Sequence, residues 1–148
     1  VLKKNLMDNN ISNAYIAEQA VMAQSGIKHL YLSAGNNQGR NTMIQVGGRN
    51  TIEVDCISMN EILSNNPDIT KVKLDCEGAE YEIIKSISDW GNVSAIILEY
   101  HPWLLDDADG SKYNELIEIL SKVFVNVEYS KENKVITFGK TILATTRK

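Results

Sequence analysis

The stretch Val72-Lys73-Leu74-Asp75-Cys76-Glu77-Gly78-Ala79-Glu80 places three carboxylates around a glycine, at the point where an apolar strand gives way to an amphipathic helix. Ile69, Val72, Leu74 and Cys76 supply the apolar, partly β-branched content in and around a short strand expected over residues 71–75, with Asp75 at its carboxyl end. Gly78 lacks a Cβ and permits a tight turn or the close approach of another backbone. From Ala79 onward the period changes. Ala79, Ile83, Ile84 and Ile87 recur at helical spacing, while Glu82, Lys85 and Ser86 fall on the other face. Open α/β sheets bind ligands in the crevice beyond the carboxyl ends of their strands, and Asp75 and Glu77 are placed at that crevice. Asp75, ending an apolar strand, is expected to need a partner that offsets its desolvation. Glu80 reads as a surface charge in a first helical turn, where the macrodipole favours an acid by about 0.3–1 kcal/mol.

Outward from this stretch the chain alternates strands and helices. Residues 1–8 read as helix and residues 14–21 as a strand with both faces covered, because its alternation is imperfect. Residues 28–33, 42–46 and 51–55 read as short strands separated by Gly/Asn-rich turns. Ser58-Met59-Asn60-Glu61 fits a capping box, and Asn65-Asn66-Pro67 stops the helix that follows. Residues 95–98 form a continuous apolar run between Gly91-Asn92 and Pro102, the pattern of a central buried strand. Tyr113, Leu116, Ile117, Leu120 and Phe124 make a helical stripe. Residues 125–129 and 135–138 flank a polar link and predict a terminal antiparallel hairpin, with residues 141–145 continuing its second strand.

Composition narrows the function classes. At 148 residues and 43% hydrophobic content, the chain is long enough to bury a sizeable core. A net charge of −4 and a pI near 5.2 argue against a broad nucleic-acid footprint. No run approaches the roughly 18 apolar residues of a membrane span. Cys56 and Cys76 stand apart from any Cys-x-x-Cys or His-rich pattern, so reduced thiols, a cytoplasmic setting and no zinc are expected. His29, among Leu30, Tyr31 and Leu32, reads as a strand residue.

Lys73-Leu74-Asp75-Cys76-Glu77-Gly78-Ala79-Glu80 resembles the signature segment of FkbM-type methyltransferases. Other segments agree in order and spacing: Leu2-Lys3-Lys4-Asn5-Leu6 with Asn9-Asn10-Ile11, Thr51-Ile52-Glu53-Val54-Asp55 with Ile57 to Leu63, and Ile96-Ile97-Leu98-Glu99-Tyr100-His101. The resemblance covers about residues 1–103. It implies an α/β fold: a partial Rossmann-like class I methyltransferase sheet, lacking the first cofactor-binding strands, that ends in an antiparallel hairpin. It also implies methyl transfer from S-adenosylmethionine, usually to oxygen. The family opens with a strand and a glycine-rich turn that receive the cofactor. The candidate Gly35-Asn36-Asn37-Gln38-Gly39 has no helical pattern after it and reads as a loop. The expectation is therefore the carboxyl-terminal portion of a single methyltransferase domain over residues 1–148, inactive and weakly cofactor-binding on its own.

If the strands ending at Asp75 and Glu99 are parallel neighbours, their carboxyl ends lie about 5 Å apart. Asp75, Glu77, Glu99 and His101 then converge as catalytic candidates. The protein's task in methyl transfer is alignment and removal of the acceptor proton. His101, with an ordinary pKa of about 6.5, is the first candidate for base. Asp75 positions acceptor or cofactor, and Glu99 orients or pairs. By position in the family, Gln19 and Ala20 join Asp75 as cofactor-binding residues. The expected partner is a small-molecule hydroxyl compound, with neither nucleic acid nor membrane. The same carboxylates are open to a second use, holding a divalent cation that acidifies a hydroxyl. Tyr100, Pro102 and Trp103 read either as a substrate wall or as packing. Two rival functions stand beside this one: a metal-dependent nucleotide-sugar glycosyltransferase using Asp75-Cys76-Glu77, and a non-catalytic domain that keeps the fold.

Overall fold

The computed structural model describes residues 1–33, 41–129 and 140–147. In chain order these form α1 (Leu2–Asp8), β1 (Ala20–Met22), β2 (Gly26–Tyr31), β3 (Thr51–Ser58), α2 (Met59–Asn65), β4 (Lys71–Leu74), α3 (Glu80–Ser86), β5 (Ala95–Tyr100), α4 (Ser111–Val123), β6 (Phe124–Tyr129) and β7 (Lys140–Arg147). The strands divide into two sheets. One has the order β1-β3-β2, the other β4-β5-β7-β6.

The second sheet carries the signature stretch. Strands β4 and β5 are parallel neighbours in register from Lys71 with Ala95 to Leu74 with Leu98, as the sequence predicts, and Asp75 lies just past the end of β4. Strand β7 runs antiparallel to both β5 and β6. That is the expected terminal antiparallel pair; the predicted strand over residues 135–138 lies outside the described residues, as does the glycine-rich loop over residues 35–39.

Helices α3 and α4 bury one face of this sheet. Ile96, Leu98 and Tyr100 of β5 are each at most 1% exposed, and they meet Ile83 and Ile84 of α3 and Leu116 and Leu120 of α4 in one core. Each fully buried side chain of this size contributes roughly 1.5–3 kcal/mol. Trp90 packs edge-on against Phe124 with ring centroids 5.3 Å apart. The uniformly apolar run in β5 misleads on one point. The strand is central in its sheet, yet Ile97 on its other face is 39% exposed.

Two strands expected in the first half differ. The strand expected over residues 14–21 is ordered as β1 only from Ala20, where parallel pairing to Cys56 begins, and upstream Tyr15 is 93% exposed with no ladder to hold it. Residues 42–46 form a single antiparallel bridge, Thr42 to Tyr31. Thr42 is buried, and its hydroxyl donates to the Glu77 carbonyl at 2.5 Å while accepting from the Ile44 N–H at 3.0 Å, so this segment folds onto the signature turn and leaves the ladder. The capping box at α2 forms in relay. Ser58 Oγ accepts from the Glu61 N–H at 3.1 Å, but the Ser58 N–H donates to Ser25 Oγ, whose hydroxyl donates on to the Glu61 carboxylate.

Past β5 a short 3-10 turn, Pro102–Leu104, leads to α4. Asp107, 5% exposed, accepts from the Lys112 and Tyr113 N–H groups at the start of α4 and from the Tyr100 hydroxyl at 2.6 Å. One carboxylate thus satisfies two orphan helix donors and fastens α4 to the end of β5.

Candidate functional site

The chain between β4 and α3 turns over Cys76–Ala79, closed by the Ala79 N–H to the Cys76 carbonyl at 3.3 Å. Both central residues have positive φ, 46° at Glu77 and 102° at Gly78. A glutamate in this region is uncommon and costs about 1–2 kcal/mol. Gly78 is required twice over. A Cβ at this position would lie 2.8 Å from Leu104 Cβ and 3.1 Å from Ile44 Cγ1, so the residue admits neither the conformation nor the volume of a side chain.

Glu80 holds the turn in place. It is fully buried, and its Oε1 accepts from the Cys76 N–H at 2.7 Å while Oε2 accepts from the Gly78 N–H at 3.0 Å. His101 Nδ1 lies 3.1 Å from the same Oε1. The surface role expected for Glu80 is therefore corrected: its carboxylate is the interior partner of both the turn and the imidazole. Asp75 is corrected in the opposite sense. Its side chain is 43% exposed, with Lys73 Nζ at 3.7 Å, so solvent and not a buried partner meets its charge.

His101 leaves the end of β5 and is 3% exposed. Its Nε2 lies 3.8 Å from Glu77 Oε2 and 3.9 Å from Glu99 Oε1. Asp75, Glu99 and His101 each bring a donor atom within 4.8 Å of the others. The structure thus gathers Asp75, Glu77, Glu99 and His101 at the carboxyl ends of β4 and β5, and adds Glu80. Ala20 opens β1 of the other sheet, paired with Cys56, and Gln19 just before that strand donates to Asp55 Oδ2 at 2.6 Å. Tyr100 is core, its ring 5.2 Å from Tyr113, whereas Trp103 is 45% exposed two residues beyond His101.

The electrostatics follow from this packing. Burial alone would lower the His101 pKa, but the hydrogen bond and charge of Glu80, joined by Glu77 and Glu99, outweigh it and hold the imidazole above its ordinary 6.5. Burial raises the Glu77 pKa; His101 opposes the rise, and the charges of Asp75, Glu80 and Glu99 add to it. Burial and then the Glu80 charge push the Cys76 thiol up to about 11, so it stays protonated and unreactive at neutral pH. Cys56 and Cys76 are both free thiols.

Sequence reasoning missed Glu80 because macrodipole preference explains an acid at that position without reference to tertiary structure. The available signal was the turn itself, since two backbone donors in a glycine turn need an acceptor and Glu80 is the nearest acid on the following helix.

A mixed α/β chain with two sheets and four helices among its described residues fits a methyltransferase-like fold. The chain belongs to the FkbM methyltransferase family: the model of the Methyltransferase FkbM domain matches residues 2–129, which include every element from α1 to β6. No curated protein and no solved structure matches it. Among the described residues, no helix is long and apolar enough to cross a membrane.

Proposed function

We propose that this protein transfers a methyl group from S-adenosylmethionine to a hydroxyl oxygen of a small-molecule acceptor, with His101 as the base. The observation that carries this reading is the convergence of His101 with Glu77 and Glu99 at the ends of two parallel strands, within a family of methyltransferases. In the same reading β4, β5, β7 and β6 are part of a Rossmann-like methyltransferase sheet.

S-adenosylmethionine, when bound, supplies an electrophilic methyl group. The acid-lined strand ends suit its positive charge: Asp75 is solvent-accessible and ready to face a cationic ligand, and Gln19 and Ala20 are assigned with it to cofactor binding. His101 Nε2 accepts the acceptor's hydroxyl proton as its oxygen becomes nucleophilic, a contribution of typically 10²–10⁴-fold. Glu77 and Glu99 then stabilise the imidazolium from 3.8 and 3.9 Å. Glu80 and the glycine turn keep the ring from swinging away. Trp103 offers an apolar wall to the acceptor.

A second reading is favoured by one observation, the 4.8 Å grouping of donor atoms from Asp75, Glu99 and His101. There a divalent cation acidifies the hydroxyl. The deciding experiment is transfer of labelled methyl groups by the full-length protein to a panel of hydroxyl compounds, with and without a chelator. Transfer that survives the chelator and fails in His101→Ala supports the base reading. Loss on chelation, restored by magnesium, moves the function to the second.

A further inference from the structure

The Glu80 carboxylate meets three donors and has two oxygens. Oε1 faces the Cys76 N–H and His101 Nδ1, and Oε2 faces the Gly78 N–H. Neither backbone donor can reverse its role. Both carboxylate oxygens are already turned to donors as acceptors, and with the carboxylate accepting throughout, the hydrogen on the His101 side of this contact belongs to Nδ1. The imidazole then carries its lone pair on Nε2, the nitrogen that looks toward Glu77 and Glu99.

We propose that Glu80 is a positioning residue that fixes His101 in the Nδ1-protonated tautomer and thereby presents Nε2 as the proton acceptor of the site. This assignment rests on the reading of His101 as the base. The alternative is that Glu80 serves the turn alone and the His101 contact is incidental. Geometry opposes that alternative. The ring is buried to 3% exposure and fixed at the exit of β5, and the turn's two donors occupy one oxygen each, so the third contact on Oε1 is not needed to satisfy the backbone. Free neutral histidine favours the proton on Nε2, so holding the other tautomer requires an acceptor such as this one.

Gln cannot replace Glu here. Its single oxygen serves either the Cys76 and His101 side or the Gly78 side, and its amide then presents hydrogens to a donor on the other. Glu80→Gln is therefore expected to lower kcat roughly 10–100-fold with little change in KM, the effect of removing an orienting partner behind a working group.

The test is a nitrogen-15 spectrum of the imidazole rings in the full-length protein, taken alkaline enough for neutral histidine and assigned by the loss of signals in His101→Ala. The expected result is His101 with Nδ1 protonated and Nε2 bare in the wild type, moving toward the Nε2-protonated form in Glu80→Gln. A wild-type ring already protonated on Nε2, or a tautomer unchanged by the substitution, overturns the proposal. The wild-type spectrum decides even if Glu80→Gln fails to fold. The measurement needs no activity, so it separates this proposal from the base reading: the predicted tautomer together with full methyl transfer in His101→Ala removes the base and leaves the orientation.

Discussion

Glu80 and His101, which enter the fold on different elements and lie 21 residues apart, meet as a buried pair at 3.1 Å, and the same glutamate carries the backbone of the Cys76–Ala79 turn. Through one side chain, the strain of a left-handed Glu77-Gly78 pair is coupled to the placement of the imidazole.

Stability should respond to Glu80 far more than to Asp75. Replacing Glu80 by Gln leaves a buried donor facing a donor, a loss of about 1–3 kcal/mol, and Glu80→Ala, which strands all three donors, costs more. Asp75→Asn changes a solvated charge and is expected to stay within about 0.5 kcal/mol. Urea unfolding midpoints for the three variants give the ranking, and an Asp75→Asn loss equal to that of Glu80→Gln would contradict it.

Gly78→Ala combines a positive φ with a 2.8 Å clash against Leu104 Cβ. The strain alone is about 1–3 kcal/mol, and relief requires the Pro102–Leu104 turn to move. Because that turn directly follows His101, we expect methyl transfer to fall beyond what the unfolded fraction explains. Circular dichroism melts and turnover measured well below the midpoint separate the two effects.

The Tyr100–Asp107 contact should behave as a coupled pair. Asp107→Ala removes the acceptor for two α4 donors and for the Tyr100 hydroxyl, an expected loss of about 1–3 kcal/mol, whereas Tyr100→Phe loses one hydrogen bond worth about 1 kcal/mol. A double-mutant cycle should therefore give a non-zero coupling energy. Simple additivity of the two losses would show that the bond contributes nothing.

The pH dependence of stability follows from two upward shifts. His101 and Glu77 both bind protons more tightly in the folded state. Each contribution is complete below the unfolded pKa and is lost as pH rises through the raised folded value. For Glu77 the decline starts in the acidic range, near 4.5, and for His101 above 6.5. Unfolding midpoints from about pH 5 to about pH 9 should fall through neutrality in the wild type, and His101→Asn should remove the neutral part of that fall.

The parallel pairing of β4 with β5 was legible because β5 is a short apolar run with a polar end, β4 alternates Val72 and Leu74 with lysines ahead of Asp75, and the helix between them shows its period in Ile83, Ile84 and Ile87. The meeting of Asp75, Glu99 and His101 follows from that pairing, and the Cys76–Ala79 turn adds Glu77. Burial was not legible. Asp75 and Glu80 sit five residues apart on either side of the Cys76–Ala79 turn, and pattern does not reveal that the helix turns the second inward while the first stays in solvent. Ile97 gave the opposite error, since an unbroken apolar run looks the same whether one face or both are covered. Asp107 sits in a polar turn, and only its pairing with Tyr100 across the fold distinguishes it from Asp106 and Asp109.

The central claim is that His101 takes the acceptor proton, and the rate of methyl transfer as a function of pH tests it most directly. In the full-length wild type, kcat is expected to rise with pH through a pKa above 6.5, because the surrounding carboxylates hold the imidazole protonated longer. His101→Ala should lose roughly 10²–10⁴-fold and retain no inflection at that pKa. A His101→Ala enzyme with wild-type rate and an unchanged pH profile would contradict the account.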